Sequence, residues 1–455
     1  MNVTEIFASE LPSLRWESLP WEVRRAAKLC LADFLATAIA GLSFETARSL
    51  LRACRHWAGT GRCAVVGQSG AYSPEGAAFL NATISEILEM GHGHANGGGH
   101  LGATTIPVAL ALAEESDRSG QDALLSIVVG YEVFGKVGGA VHPSLLNQGF
   151  ISTGLCGCLG AAATSAMALG LTGRELAAAL GIAAYLAPVS LLTGYYGTIN
   201  SAEAGQAAWQ GITAARMAAE GIAGSEDPAG SFCEQFGDIT HLHRSMAKLG
   251  QEFEITNLYY KLFPGCRLTH GPAEATLRLL REEGLRADEV ERVVVGVTPA
   301  AVHLCAKYID TAASFVRAQF SIPFVVASAV LHGTVDASSF SAERLANAAI
   351  HEFARQRVVV EAVLSESDVD IAGAEVQIVS KGGKRYRHAI PHPKGSPRNP
   401  VTEQDLKEKF ARLTEPVLGT AASQQLWESA LRFDELRGQD AVLLRVREDT
   451  YAHPR

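Results

Sequence analysis

Between residues 20 and 221 the chain runs through one long apolar segment after another, each at helical spacing and each rich in alanine and glycine. The stretch PWEVRRAAKLCLADFLATAIAGL sets its apolar residues on a helical period behind a proline suited to a first turn, and it stops at Gly41. The same pattern predicts helices over 75 to 90, 104 to 118, 120 to 138, 153 to 170, 173 to 187 and 202 to 221. Small side chains on their faces let helices approach closely, so the first half reads as a tightly packed helical body. The glycine-rich stretch GHGHANGGGHLG at 91 to 102 interrupts it as a loop.

Past Pro264 the pattern changes. VERVVVGVTP and AEVQIVSKGGKRYRHAI carry β-branched residues and turn signals, with helices predicted at 271 to 283 and 320 to 332 between them. After the linker PHPKGSPRNP, a helix capped near Thr402 begins. A chain of 455 residues is too long for one core. The expectation is a mainly α protein: a large all-helical domain built from 1–264 and 394–455, with a smaller α+β domain, 265–393, inserted in it.

The formal net charge of −9 and the lack of a concentrated basic face argue against a nucleic-acid partner. Eight cysteines without CxxC spacing, and no signal-peptide pattern, point to reduced thiols in a cytoplasmic protein. Cys156 and Cys158 sit in a Gly/Ala-rich helix, where small buried residues are the simplest explanation. No uninterrupted apolar run reaches the length of a membrane span, so membrane insertion is not expected.

Three clusters have the makings of chemistry. Glu89, His92, His94 and His100 lie in EMGHGHANGGGH, where imidazoles beside a carboxylate suit general acid–base work near neutral pH. The same histidines also have the donor types of a zinc or iron site, although their spacing matches no metal signature. Lys261, Cys266, Arg267 and His270 surround a Pro-Gly turn that opens a helix, an arrangement able to bind a carboxylate or merely to form a solvated, salt-bridged turn. Tyr195, Tyr196, Asn200 and Glu203 precede or begin the helix at 202, placed either to orient a substrate oxygen or to pack a helix joint.

These stretches, in this order, resemble the MmgE/PrpD family, which includes 2-methylcitrate dehydratase, cis-aconitate decarboxylase and iminodisuccinate epimerase. The resemblance rests on LADFLATAIAGL, AAFLNATISEILEM, HLGATTIPVALALAEE, GLCGCLGAAATSAMALGL, EAGQAAWQGITAARMAAEGI, YKLFPGCRLTHGPAEA, AQFSIPFVVASAVLHG and PKGSPRNPVTEQDLKEKF, and it spans nearly the whole chain. It implies a helical domain with an α+β insertion, an active site in the cleft between them, a homodimer and no organic cofactor. Lys261, Arg267 and His270 carry over as substrate-site residues, and Glu89 and His100 keep an acid and a histidine of the family's acidic loop. Gly91 and His92 stand where that loop has its acidic pair, Ile151 where a histidine is common, Asn200 and Glu203 where lysine and histidine are found, and Phe324 where some members have tyrosine.

The resulting expectation is a lyase or isomerase that moves a proton beside a carboxylate of a small organic acid differing from 2-methylcitrate and cis-aconitate. Catalysis is expected from His92, His94, His100, Lys261 and Glu89, without a metal. Substrate binding is expected from Arg267, His270, Asn200, Glu203, Cys266 and Tyr196. The alternatives are a metal-dependent enzyme using His92, His94 and His100, and a non-catalytic binding protein of the same fold.

Overall fold

The computed structural model describes residues 2–188, 197–307, 315–365 and 367–437. Helices form at Trp21–Gly41, Pro74–Ser85, Leu101–Ser116, Gly120–Val141, Ser152–Leu169, Arg174–Leu186 and Ala202–Ala219, close to where periodicity predicts them. The chain is mainly α, with its strands in small sheets. Close helix approach has a visible cause at Gly211, where any Cβ would collide with Ala161 of the Ser152–Leu169 helix. Alanine and glycine here set the interaxial distance rather than merely fill space.

Two of these helices correct the membrane reading. Gly120–Val141 and Ser152–Leu169 are long and apolar enough to cross a bilayer, but 94% and 89% of their most apolar windows are buried inside the protein. A helix surrounded by other helices has no polar face to keep, so its composition approaches that of a membrane span.

The helix predicted over 75 to 90 ends at Ser85. The N–H groups of Glu86, Ile87 and Glu89 donate to carbonyls three residues back, at 3.3, 3.3 and 3.0 Å, and Glu89 takes a left-handed backbone with φ of 51°. This tight exit throws Glu86 and Glu89 off the helical track, and both become part of the site described below.

One apolar cluster draws on residues from Val3 to Leu258 and again from Leu406 to Phe433. The later segment enters through the helix Glu403–Leu418, whose Thr402–Asp405 capping box fixes its start, and which packs on Trp21–Gly41. A separate cluster lies wholly between Leu268 and Ile390. It is organised by a four-stranded sheet in the order Val358–Ala362, Val290–Val297, Ala374–Ser380, Arg385–Ile390; the first pair is parallel and the others antiparallel. The helices His270–Glu282 and Ile322–His332 pack with these strands.

Candidate active site

The histidine-bearing loop and the Lys261 segment are stitched together by main-chain bonding. Gly93 and His94 pair antiparallel with Tyr259 and Leu258, and the Gly265 N–H of the Phe-Pro-Gly turn donates to the Leu88 carbonyl at 3.1 Å. Gly98 has φ of 64° and lies so close to the His142 ring that no Cβ would fit, so only glycine closes the loop there. Beneath this junction lies a cavity of about 160 Å³, lined among others by Glu89, His100, Tyr259, Lys261, Cys266, Arg267 and Asp370.

His100 is the histidine best placed for chemistry. It ends the loop at the N-terminus of Leu101–Ser116, its N–H donating to Thr153 Oγ1 at 3.1 Å. Its Nδ1 lies 2.5 Å from Glu86 Oε2, while Nε2 lies 3.8 Å from Glu89 Oε2. A carboxylate holding Nδ1–H fixes the ring and leaves Nε2 as the proton-accepting atom. Lys261 stands beside this pair, donating to the Glu89 carbonyl at 2.9 Å and to Glu89 Oε2 at 3.1 Å. Burial, the largest single influence, works to discharge its ammonium, but Glu89, Tyr259, Glu86 and Cys266 together outweigh it and shift the pKa upward, so Lys261 is a fixed cation.

Arg267 supplies the second cation. Its Nη2 donates to Ser396 Oγ at 2.7 Å and sits 3.4 Å from Asp370 Oδ2, and its guanidinium lies 4.9 Å from the centre of the Tyr259 ring. Nη1 is buried with no hydrogen-bond partner among the described residues. Burial lifts the Tyr259 phenol to about 12, so the ring stays neutral under the guanidinium. Cys266 also lines the cavity, its thiol pKa lowered first by a hydrogen bond from Cys305 and then, against burial, by Lys261. His270 is buried, packed edge-on against Phe263, with neither ring nitrogen hydrogen-bonded among the described residues. Burial first, then Arg267 and Lys261, push its pKa well below the usual histidine value and keep it neutral.

The other expected site residues are engaged elsewhere. His92 turns away from the cavity: Nδ1 meets Asp33 Oδ2 at 2.8 Å, Nε2 meets the Tyr131 hydroxyl at 2.7 Å, and its N–H donates to Asp33 Oδ2 at 3.0 Å. Burial opposes its charge, yet Cys30 and Asp33 raise its pKa to about 10. His94 touches the cavity wall, but its Nδ1 accepts the Gly97 N–H at 2.8 Å, placing the ring proton on Nε2 toward Glu254 at 2.9 Å. Glu203 accepts the Gly154 N–H at 2.6 Å, so it satisfies an amide in the buried first turn of Ser152–Leu169 and sets a negative charge where the helix dipole favours one. Asn200 and Glu203 are absent from the cavity lining among the described residues. Tyr196 lies outside the described residues.

His92, His94 and His100 therefore do not converge on one point. The group among the described residues whose donor atoms gather closely enough for a metal is Glu86, Glu89 and His100, within 4.8 Å of one another. Lys261 already occupies one Glu89 oxygen there, and an ammonium at that distance opposes a divalent cation.

Several residues at the site escaped sequence reasoning. Glu86 falls inside the helix predicted over 75 to 90 and was not singled out, although its position three residues before Glu89 was a usable signal. Asp370 and Ser396 come from loops in the second half of the chain. Behind the cavity, Lys409 donates to Asp33 Oδ1 at 2.6 Å and to the Met90 carbonyl at 2.7 Å. Burial would raise the Asp33 carboxyl, but Lys409 and His92 hold it down at about 2. This buried trio clamps the backbone immediately after Glu89.

Residues 5–231 match the MmgE/PrpD N-terminal domain, and residues 263–435 match the MmgE/PrpD C-terminal domain. The chain belongs to the MmgE/PrpD family. Its curated relatives include the cis-aconitate decarboxylase-like protein oryM of Aspergillus oryzae, 24% identical over 95% of each chain. The cis-aconitate decarboxylase of Aspergillus terreus strain NIH 2624 is 24% identical over 93% of this chain and 91% of its own. That of Mus musculus is 24% identical over 90% of this chain and 86% of its own.

Proposed function

We propose that this MmgE/PrpD protein is a lyase of the dehydratase or decarboxylase type, working on a small organic acid by proton transfer at the carbon next to a carboxylate. The observation that carries the reading is the Glu86–His100 pair, which turns His100 Nε2 toward the side of the cavity that holds Glu89 and Lys261. In this reading the substrate carboxylate accepts from Arg267 Nη1 and from the Lys261 ammonium. His100 Nε2 takes or returns the proton on the neighbouring carbon. The electron pair left behind, whether by proton removal or by loss of carbon dioxide, spreads into the bound carboxyl group, where the two cations stabilise it. The names of the curated relatives, cis-aconitate decarboxylases, support the same class of chemistry.

The test is incubation of the protein with small organic acids in heavy water, followed by NMR. Deuterium entering the carbon beside a carboxylate, or product formation, is expected with wild-type protein and not with His100→Gln. An unimpaired His100→Gln variant removes His100 from the mechanism.

A further inference from the structure

Resting on the proton-removal form of the reaction proposed above, since loss of carbon dioxide from a lone carboxylate would leave no carboxyl group to take up the electron pair, we infer that the substrate is a short monocarboxylate with an apolar body, not a di- or tricarboxylate. Both fixed cations at the cavity already face carboxylates: Lys261 faces Glu89 at 3.1 Å, and Arg267 faces Asp370 at 3.4 Å. What is left for a ligand on Arg267 is one arm, Nη1, buried with no hydrogen-bond partner among the described residues. That is one carboxylate's worth of recognition.

Leu146, Ile151, Leu268, Leu304, Phe320 and Ile371 also line the cavity and give it an apolar wall. A second carboxylate would lie against this wall or beside Glu89 and Asp370, losing its hydration without gaining a cation among the described residues. Size agrees with charge: about 160 Å³ is close to the ~150 Å³ of a cavity that holds benzene, so an acid with a few apolar carbons fits. The apolar wall then supplies affinity through buried hydrocarbon, and the single carboxylate fixes which carbon faces His100.

The experiment uses three unsaturated acids of one geometry that differ in the number of carboxylates: angelate, citraconate and cis-aconitate. Binding to the wild-type chain is measured by calorimetry, and conversion or deuterium uptake is followed separately by NMR in heavy water. Angelate is expected to bind at least ten-fold more tightly than citraconate, with cis-aconitate weaker still. Equal or tighter binding of cis-aconitate, or no binding of angelate, overturns the substrate class. Angelate that binds without chemistry would instead count against the reaction while leaving the substrate class standing. Leu146, half-buried in the apolar wall, provides a second check: Leu146→Lys is expected to shift the angelate-to-citraconate affinity ratio at least ten-fold toward citraconate. An unchanged ratio in that variant also overturns the inference.

Discussion

His100 Nδ1 and Glu86 Oε2 stand 2.5 Å apart in a buried setting, and this contact decides which face of the imidazole meets the cavity. Glu86→Gln keeps the shape but replaces a fixed acceptor with an amide able to present its N–H₂ to Nδ1, favouring the wrong tautomer. The expected result is a drop in kcat of roughly a hundred- to ten-thousand-fold with KM little changed, since the carboxylate-binding groups are untouched. Steady-state kinetics on whichever acid is turned over checks this. A rise in KM with kcat preserved would place Glu86 in binding instead.

Lys261 and Glu89 form a buried ion pair, so removing one member leaves the other charged and unpaired. Lys261→Ala is expected to lose activity and also roughly 3–5 kcal/mol of stability. The double variant Lys261→Met/Glu89→Gln removes both charges and is expected to recover most of that stability while staying inactive. Denaturant unfolding of the three proteins, read beside their activity, separates the catalytic loss from the structural one. Recovered turnover in the double variant would contradict the role given to Lys261.

The Asp33–Lys409 pair acts on the site through the backbone, because Lys409 holds the Met90 carbonyl and Asp33 holds the His92 N–H. Lys409→Met is expected to loosen the left-handed turn at Glu89 and to lower kcat more than it raises KM. Lys409→Arg, which keeps the charge, is expected to restore part of the loss. Equal losses in both variants would mean that the pair serves folding alone.

What the sequence revealed and what it hid follow one physical division. Helices such as Trp21–Gly41 and Gly120–Val141 were legible because their period is local, and so was the Thr402 cap. The meeting of the glycine loop with the Lys261 segment was legible as chemistry, since acids, imidazoles and cations have to find partners. Which histidine faces the cavity was not. In a glycine-rich loop the backbone path is unconstrained by periodicity, and only the structure shows His92 turned to Asp33 and His100 to Glu86. Glu203 was misleading for a related reason: an acid at a helix start reads as a site residue, whereas its carboxylate caps a different helix at Gly154. Asp33 and Lys409, 376 residues apart in the chain, left no local mark at all.

Glu132 offers a prediction that is independent of the site. It is buried in the Gly120–Val141 helix, 3.6 Å from Lys136, with its neighbour Glu254 also bonded to Lys136. Burial raises its pKa from the ordinary 4.5 to about 7, despite the lowering effect of Lys136 and with a further push from Glu254. A carboxyl group whose pKa is higher in the folded than in the unfolded chain favours folding below the unfolded value, where both forms are protonated alike. That advantage is lost as the pH rises through the folded value, because the unfolded chain ionises first. Stability is therefore expected to fall by roughly 3 kcal/mol between about pH 4.5 and pH 7 on account of this one group. Glu132→Gln, which cannot ionise, is expected to flatten that slope, matching wild type near pH 4.5 and exceeding it at pH 8. Denaturant unfolding across this range provides the measurement, and parallel curves for the two proteins would show that Glu132 is already ionised at low pH in the folded chain.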